Sequence, residues 1–172
     1  QGYLEDDKLD AASGKLDSLE QDSSLTDEQR KQVEDMKNKL QSAKDSAQQQ
    51  QENEQKKSER RQEFSSEMDE LESDDLKISS AANAEDELAM TASSFEQWDE
   101  LLSEMYDYLA GVLNADQYAS EEENYKQWVA ERDSGAENAA SATEDSTQKQ
   151  LASYSFKQSY TKARCYKLLD MM

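Results

Sequence analysis

The sequence predicts an all-α protein, with an N-terminal antiparallel helical hairpin leading by a long helix into a C-terminal helical bundle of three main helices. Three observations carry this. The 172 residues include no proline and only four glycines, so the usual punctuation of loops and hairpins is missing. Apolar residues recur at steps of three and four, the period of helices buried along one stripe. Hydrophobic and charged residues each make up 34% of the chain, so those stripes must be narrow.

A first helix is expected over about residues 3–21, with Leu9, Ala12, Leu16 and Leu19 as its seam. Thr26 and Gln29 then form a capping box, each side chain reaching the other's backbone, which starts a second helix. Its seam of Val33, Met36, Leu40, Ala43 and Ala47 returns along the first after a turn at 22–26. The same frame passes through polar Gln50, Glu54, Lys57 and Arg61 and turns apolar again at Phe64, Met68 and Leu71, which predicts one helix over about 27–72. A domain boundary is placed near 58, dividing a hairpin and spacer (1–58) from a helical domain (59–172). Residues 73–84 lose the period and carry helix-competing serines and Asn83, so they read as a loop or broken helix.

The third helix, over about 85–113, has the most hydrophobic stripe: Leu88, Ala92, Phe95, Trp98, Leu102, Met105, Leu109 and Val112. After a turn at 114–116 the fourth runs to about 141, with Glu121, Glu122 and Glu123 placed toward its positive end. The fifth begins near Thr147 and turns Leu151, Tyr154, Gln158, Thr161, Cys165 and Leu168 inward. Packing is expected to centre on 125–133. Trp128 supplies the large buried ring, Arg132 lies one turn later on the same face and must find a carboxylate or keep its head in water, and Asp133 sits beside it. Trp98 is assigned to the same core, and Arg164 a role like that of Arg132.

Asp and Glu total 40 against 19 Lys and Arg, a net charge of −21 that opposes nucleic acid and anionic headgroups and favours a basic partner. Residues 59–172 hold 26 acids against 10 bases, and residues 1–58 hold 14 against 9. No apolar run of about 18 residues exists to cross a membrane. With no histidine, the commonest general base and metal ligand is missing, and the lone Cys165 allows neither an internal disulfide nor a cysteine-based metal site. It reads as a small buried hydrophobe. No nucleophile–base pair, metal set or cofactor motif is legible, so the expected protein is not an enzyme. Candidate partner-binding acids are Asp116, Glu121, Glu122 and Glu123 at the turn between the third and fourth helices, and Glu144 and Asp145 at the next turn. The seam over 9–71 offers a second kind of surface, for self-association. The chain opens on Gln1 and a polar, acidic stretch, as expected where a leader has been removed.

Three segments carry a family resemblance: Phe95-Glu96-Gln97-Trp98-Asp99-Glu100-Leu101-Leu102-Ser103-Glu104-Met105-Tyr106, then Tyr125-Lys126-Gln127-Trp128-Val129-Ala130-Glu131-Arg132-Asp133, then Ala163-Arg164-Cys165-Tyr166-Lys167-Leu168-Leu169. In order and spacing the C-terminal two-thirds, about 59–172, resembles the LprI-type lysozyme inhibitors, a family of bacterial cell-envelope proteins. Two departures stand out: a glycine-rich turn expected between the last two helices is replaced by 142–147, and the cysteine pairs of some members are absent. The resemblance implies a small helical domain, extracytoplasmic and often lipid-anchored or otherwise tethered, that binds a basic protein, lysozyme. The alternative is a helical spacer or assembly protein of the bacterial cell surface without lysozyme activity, which the composition of residues 1–58 suits.

Overall fold

A computed structural model describes residues 2–172, with side chains from Lys8 onward. Five helices make it up, α1 (Gly2–Glu20), α2 (Asp27–Ile78), α3 (Ala84–Val112), α4 (Ala115–Ala140) and α5 (Ser146–Leu169), and no strand occurs among the described residues. The all-α expectation holds. Two compact units divide the chain, one ending at Lys57 and the other running Ser58–Met172, and α2 contributes to both.

In the first unit α1 and α2 are antiparallel, since Lys44 pairs with Asp10 while the earlier Lys37 pairs with the later Asp17 and Glu20. The capping box forms as read: Thr26 N donates to Gln29 Oε1 at 2.9 Å, and Gln29 N donates to Thr26 Oγ1. The seam is rotated from the one expected. Val33 is buried and Leu9, Leu16, Leu40 and Ala47 are half-buried, but Leu19 and Met36 are exposed on one side of the seam, and Lys37 and Lys44 border its other side. Their long stems cover apolar surface while the ammonium heads reach carboxylates.

The second unit is a four-helix arrangement, because the part of α2 from Ser58 onward completes the three helices expected. Pairings give the directions. Arg60 reaches Glu104 and Asp75 reaches Ser94, so α2 opposes α3; Arg132 reaches Asp99 while the earlier Glu121 meets the later Tyr106, so α4 opposes α3; Arg164 reaches Glu121 while the earlier Tyr160 reaches the later Glu131, so α5 opposes α4. The core joins Phe64 and Met68 of α2 to Trp98, Leu102, Met105 and Leu109 of α3 and Cys165 and Leu168 of α5. Its centre is Trp98, fully buried, rather than Trp128, which keeps 8% of its surface exposed at the α4–α5 edge. Val112, assigned to the inner stripe, faces outward at the end of α3.

Two boundaries differ from expectation. α2 does not stop near 72 but runs to Ile78, leaving a short break before α3; Asp75 takes the next position of the Phe64–Met68–Leu71 frame and is tied down by three side chains across the bundle. Asn83, read as a helix breaker, is instead the N-cap of α3, accepting from the backbone of Glu85 and Asp86. α4 opens on a capping box between Asn114 and Gln117, so Glu121 lies well inside the helix and not at its positive end. Close approach of α4 to α5 depends on Gly135: a Cβ there would stand 2.2 Å from the Phe156 ring.

Candidate partner-binding site

Three polar clusters fix the four helices of the bundle. Asp75 on α2 accepts from Ser94 Oγ and, at 3.1 Å, from Trp98 Nε1 on α3, and from Gln158 Nε2 on α5 at 2.8 Å. Lys162 bridges this carboxylate to Glu72. Every partner comes from a different turn, so the cluster sets register among three helices.

On the other side of the bundle, Arg164 reaches across to Glu121, both almost wholly buried, while Tyr106 donates to the same carboxylate at 3.0 Å and accepts from Arg164 Nε at 2.9 Å. Burial chiefly, opposed by the guanidinium, raises the Tyr106 pKa above its ordinary value. The phenol therefore stays protonated and keeps donating. Glu121 is thus removed from the candidate partner-binding acids: an internal ion pair consumes it, and only 5% of its surface is exposed.

The third cluster belongs to Arg132, which donates to Asp99 Oδ1 at 2.7 Å and to Asp133 at 3.2 Å, with Lys157 near Asp133. Its guanidinium carbon lies 5.1 Å from the centre of the Trp128 ring, and that of Arg164 lies 5.8 Å from it. Trp128 continues a run of rings from Tyr125 to Tyr160 to Phe156, with centroids 5.5–5.8 Å apart. Cys165 is buried with its thiol donating toward Trp98 O, and burial pushes its pKa up to about 12. Trp98, Trp128, Arg132, Asp133 and Arg164 therefore sit in or beside the packing of the bundle.

The remaining candidate acids are on the surface but not together. Asp116 is exposed in the first turn of α4. Glu122 and Glu123 flank Lys126 at 3.6 and 3.9 Å. Glu144 is fully exposed, and Asp145 is the N-cap of α5, its carboxylate accepting from Gln148 N. Among the described residues no cluster of three or more side chains could hold a metal ion, and no helix is long and apolar enough to cross a membrane.

A denser acidic surface lies between α2 and α3. A groove of about 320 Å³ is lined by Glu67, Glu70 and Asp74 of α2 and Glu100 and Glu104 of α3, with Leu71 and Leu101 at its base. Arg60 at one end is shared among Glu63, Glu67 and Glu104, and Lys77 takes Asp74, which leaves Glu70 and Glu100 without an ion pair among the described residues. Burial raises the pKa of Glu67, and Glu104, Glu63 and Glu70 add to the rise against the pull of Arg60. A cation entering the groove relieves that crowding. The signal was present in the sequence as acids at 67, 70 and 74 and at 100 and 104 beside apolar frames, but only the pairing of α2 with α3 brings the two rows together. A second cleft, of about 390 Å³ between α4 and α5, mixes Glu131 with Arg164 and Lys167 beside Trp128 and Tyr160 and has no single sign of charge.

A family model described as lysozyme inhibitor LprI matches residues 78–168, more than half of the chain and all of α3 and α4. The match begins at the last residue of α2, so the α2 segment that completes the bundle lies outside it. No curated protein and no solved structure matches the chain.

Proposed function

The chain belongs to the LprI lysozyme inhibitor family, and on that premise we propose that it is a non-enzymatic extracytoplasmic protein that captures a basic protein, lysozyme, on the acidic groove between α2 and α3. The family match is the observation that carries the reading. What supports the place is the density of charge: five carboxylates line one groove over two leucines, and two of the five have no cation of their own. The acids at 116, 122–123 and 144–145 are dispersed and half engaged, so they contribute to steering rather than to the contact. Opposite charge accelerates encounter and fixes orientation more than it adds affinity, and the leucine base supplies apolar area that charge does not.

Titration of lysozyme activity with the full chain tests this. Inhibition is expected at low salt, weakening toward about 0.15 M as screening shortens to roughly 8 Å. The pair Glu70→Lys with Glu100→Lys should weaken inhibition by more than Glu122→Lys with Glu144→Lys, which changes the same charge. No inhibition by the parent chain at micromolar concentration in low salt would refute lysozyme capture, and equal loss from the two pairs would move the site away from the groove. A second reading, an envelope spacer or assembly protein, is favoured by one feature of the hairpin.

A further inference from the structure

The two sides of the hairpin differ in chemistry. The ion pairs of Lys37 with Asp17 and Glu20, and of Lys44 with Asp10, run along one side of the seam. Leu19 and Met36 share the other side. Each lies on the same rotational side of its own inward-facing residues, and in two antiparallel right-handed helices that displacement brings both to one face. They are 45% and 52% exposed. The helical period continues this face through exposed Gln32, Lys39 and Ala43 on α2 and through exposed Lys15 on α1. No carboxylate falls in the middle of it, although the chain has 40. Lys15 and Lys39 make no ion pair with any described side chain, whereas both lysines of the opposite side are paired.

A face with apolar residues in its middle, two ammonium groups unpaired among the described side chains and a carboxylate, Asp35, only at its border is complementary to an acidic surface with an apolar base. The bundle presents such a surface in Glu70 and Glu100 over Leu71 and Leu101. We infer that the hairpin face bearing Lys15, Leu19, Met36 and Lys39 docks on the acidic α2–α3 groove of a second copy of this chain. Hairpin against hairpin sets lysine against lysine, so the contact is head-to-tail, and such a contact leaves one free face and one free groove for further copies. Nothing in it requires lysozyme. Because both partners use one groove, lysozyme and a second copy exclude each other there.

Sedimentation velocity of the full chain at low salt, from micromolar to submillimolar concentration, tests the contact. The mean mass should rise with concentration. Lys15→Glu with Lys39→Glu should weaken self-association on the order of tenfold, and Glu70→Lys with Glu100→Lys should do the same. Combining all four reversals should restore most of it, since the pairs then face each other with signs exchanged. All the positions are surface ones, and unchanged helicity by circular dichroism confirms that each variant is folded. A monomer at every concentration, sensitivity to only one of the two reversals, or a fourfold variant no better than the pairs would overturn the inference. Since lysozyme is absent from the measurement, failure here leaves its capture standing, and failure of inhibition leaves this contact standing.

Discussion

The hairpin and the bundle follow the same three–four spacing of apolar residues, yet only the bundle closes a core. In the hairpin, Val33 alone among the described side chains up to Lys57 is a buried hydrophobe, and three ion pairs border the seam. In the bundle, Trp98, Phe64, Met68, Leu102, Met105, Leu109 and Leu168 are fully buried, and every buried ion finds a partner. The difference comes from the number of helices. A two-helix seam shields each residue from one direction, so exposed ion pairs worth a fraction of a kcal/mol to about 1 kcal/mol matter there. Four helices shield from all sides, and each buried large side chain contributes about 1.5–3 kcal/mol.

The sharpest break of this comparison is at Trp98. Truncation to alanine should cost about 3–5 kcal/mol from lost burial and the cavity left behind, and it also strips Asp75 of its indole donor. Val33→Ala in the hairpin removes about two methylene equivalents and should cost about 1.5 kcal/mol. Hydrogen exchange separates the two: Trp98→Ala should lower protection throughout α3 and α5, and Val33→Ala only in α1 and the first turns of α2. Equal, chain-wide loss from both would mean that the hairpin and bundle open as one unit.

Glycines give the next largest contrast. Gly135 is where α4 approaches Phe156, and alanine there forces the ring aside, an overpacking that should cost about 1–3 kcal/mol. Gly14 of α1 has nothing within 4 Å of its missing Cβ. Gly14→Ala should therefore gain about 0.5–1 kcal/mol from helix propensity. Thermal melts of the two variants should move in opposite directions, and a harmless Gly135→Ala would show that Phe156 has room to turn.

Why the helices were legible and the groove was not follows from the range of each signal. Spacing within one helix reports its inner stripe, which placed Trp98, Leu102, Met105 and Leu109 correctly. The capping signals Thr26 and Gln29 likewise act within four residues. Loss of the apolar period after Leu71 looked like an end of α2 because the next residue in the frame is an acid; only α3 and α5 supply the donors that let Asp75 stay there. Glu121 misled in the same way. Beside Glu122 and Glu123 it reads as one more solvated acid, and its partner Arg164 stands 43 residues away. Leu19 and Met36 were placed in the hairpin seam because a three–four frame leaves the choice between adjacent stripes open, and in the structure Lys37 and Lys44 flank it instead.

A small effect, comparable to that of Gly14→Ala, is expected where, among the described residues, a buried side-chain polar atom of the bundle lacks a partner. Thr161 is fully buried on α5, one turn before Cys165, and its hydroxyl has no hydrogen-bond partner among the described residues. A buried hydroxyl without a partner costs about 1–3 kcal/mol of desolvation, against which its methyl group still packs. Valine keeps the branched shape and removes the polar atom, so Thr161→Val should stabilise the bundle by about 1 kcal/mol. Serine keeps the hydroxyl and removes the methyl, so Thr161→Ser should destabilise it. Denaturant melts of the two, with unchanged slopes, read the hydroxyl and the methyl separately. If valine lowers the midpoint, the hydroxyl is satisfied in solution, and the bundle interior is as fully paired at Thr161 as it is at Asp75 and Glu121.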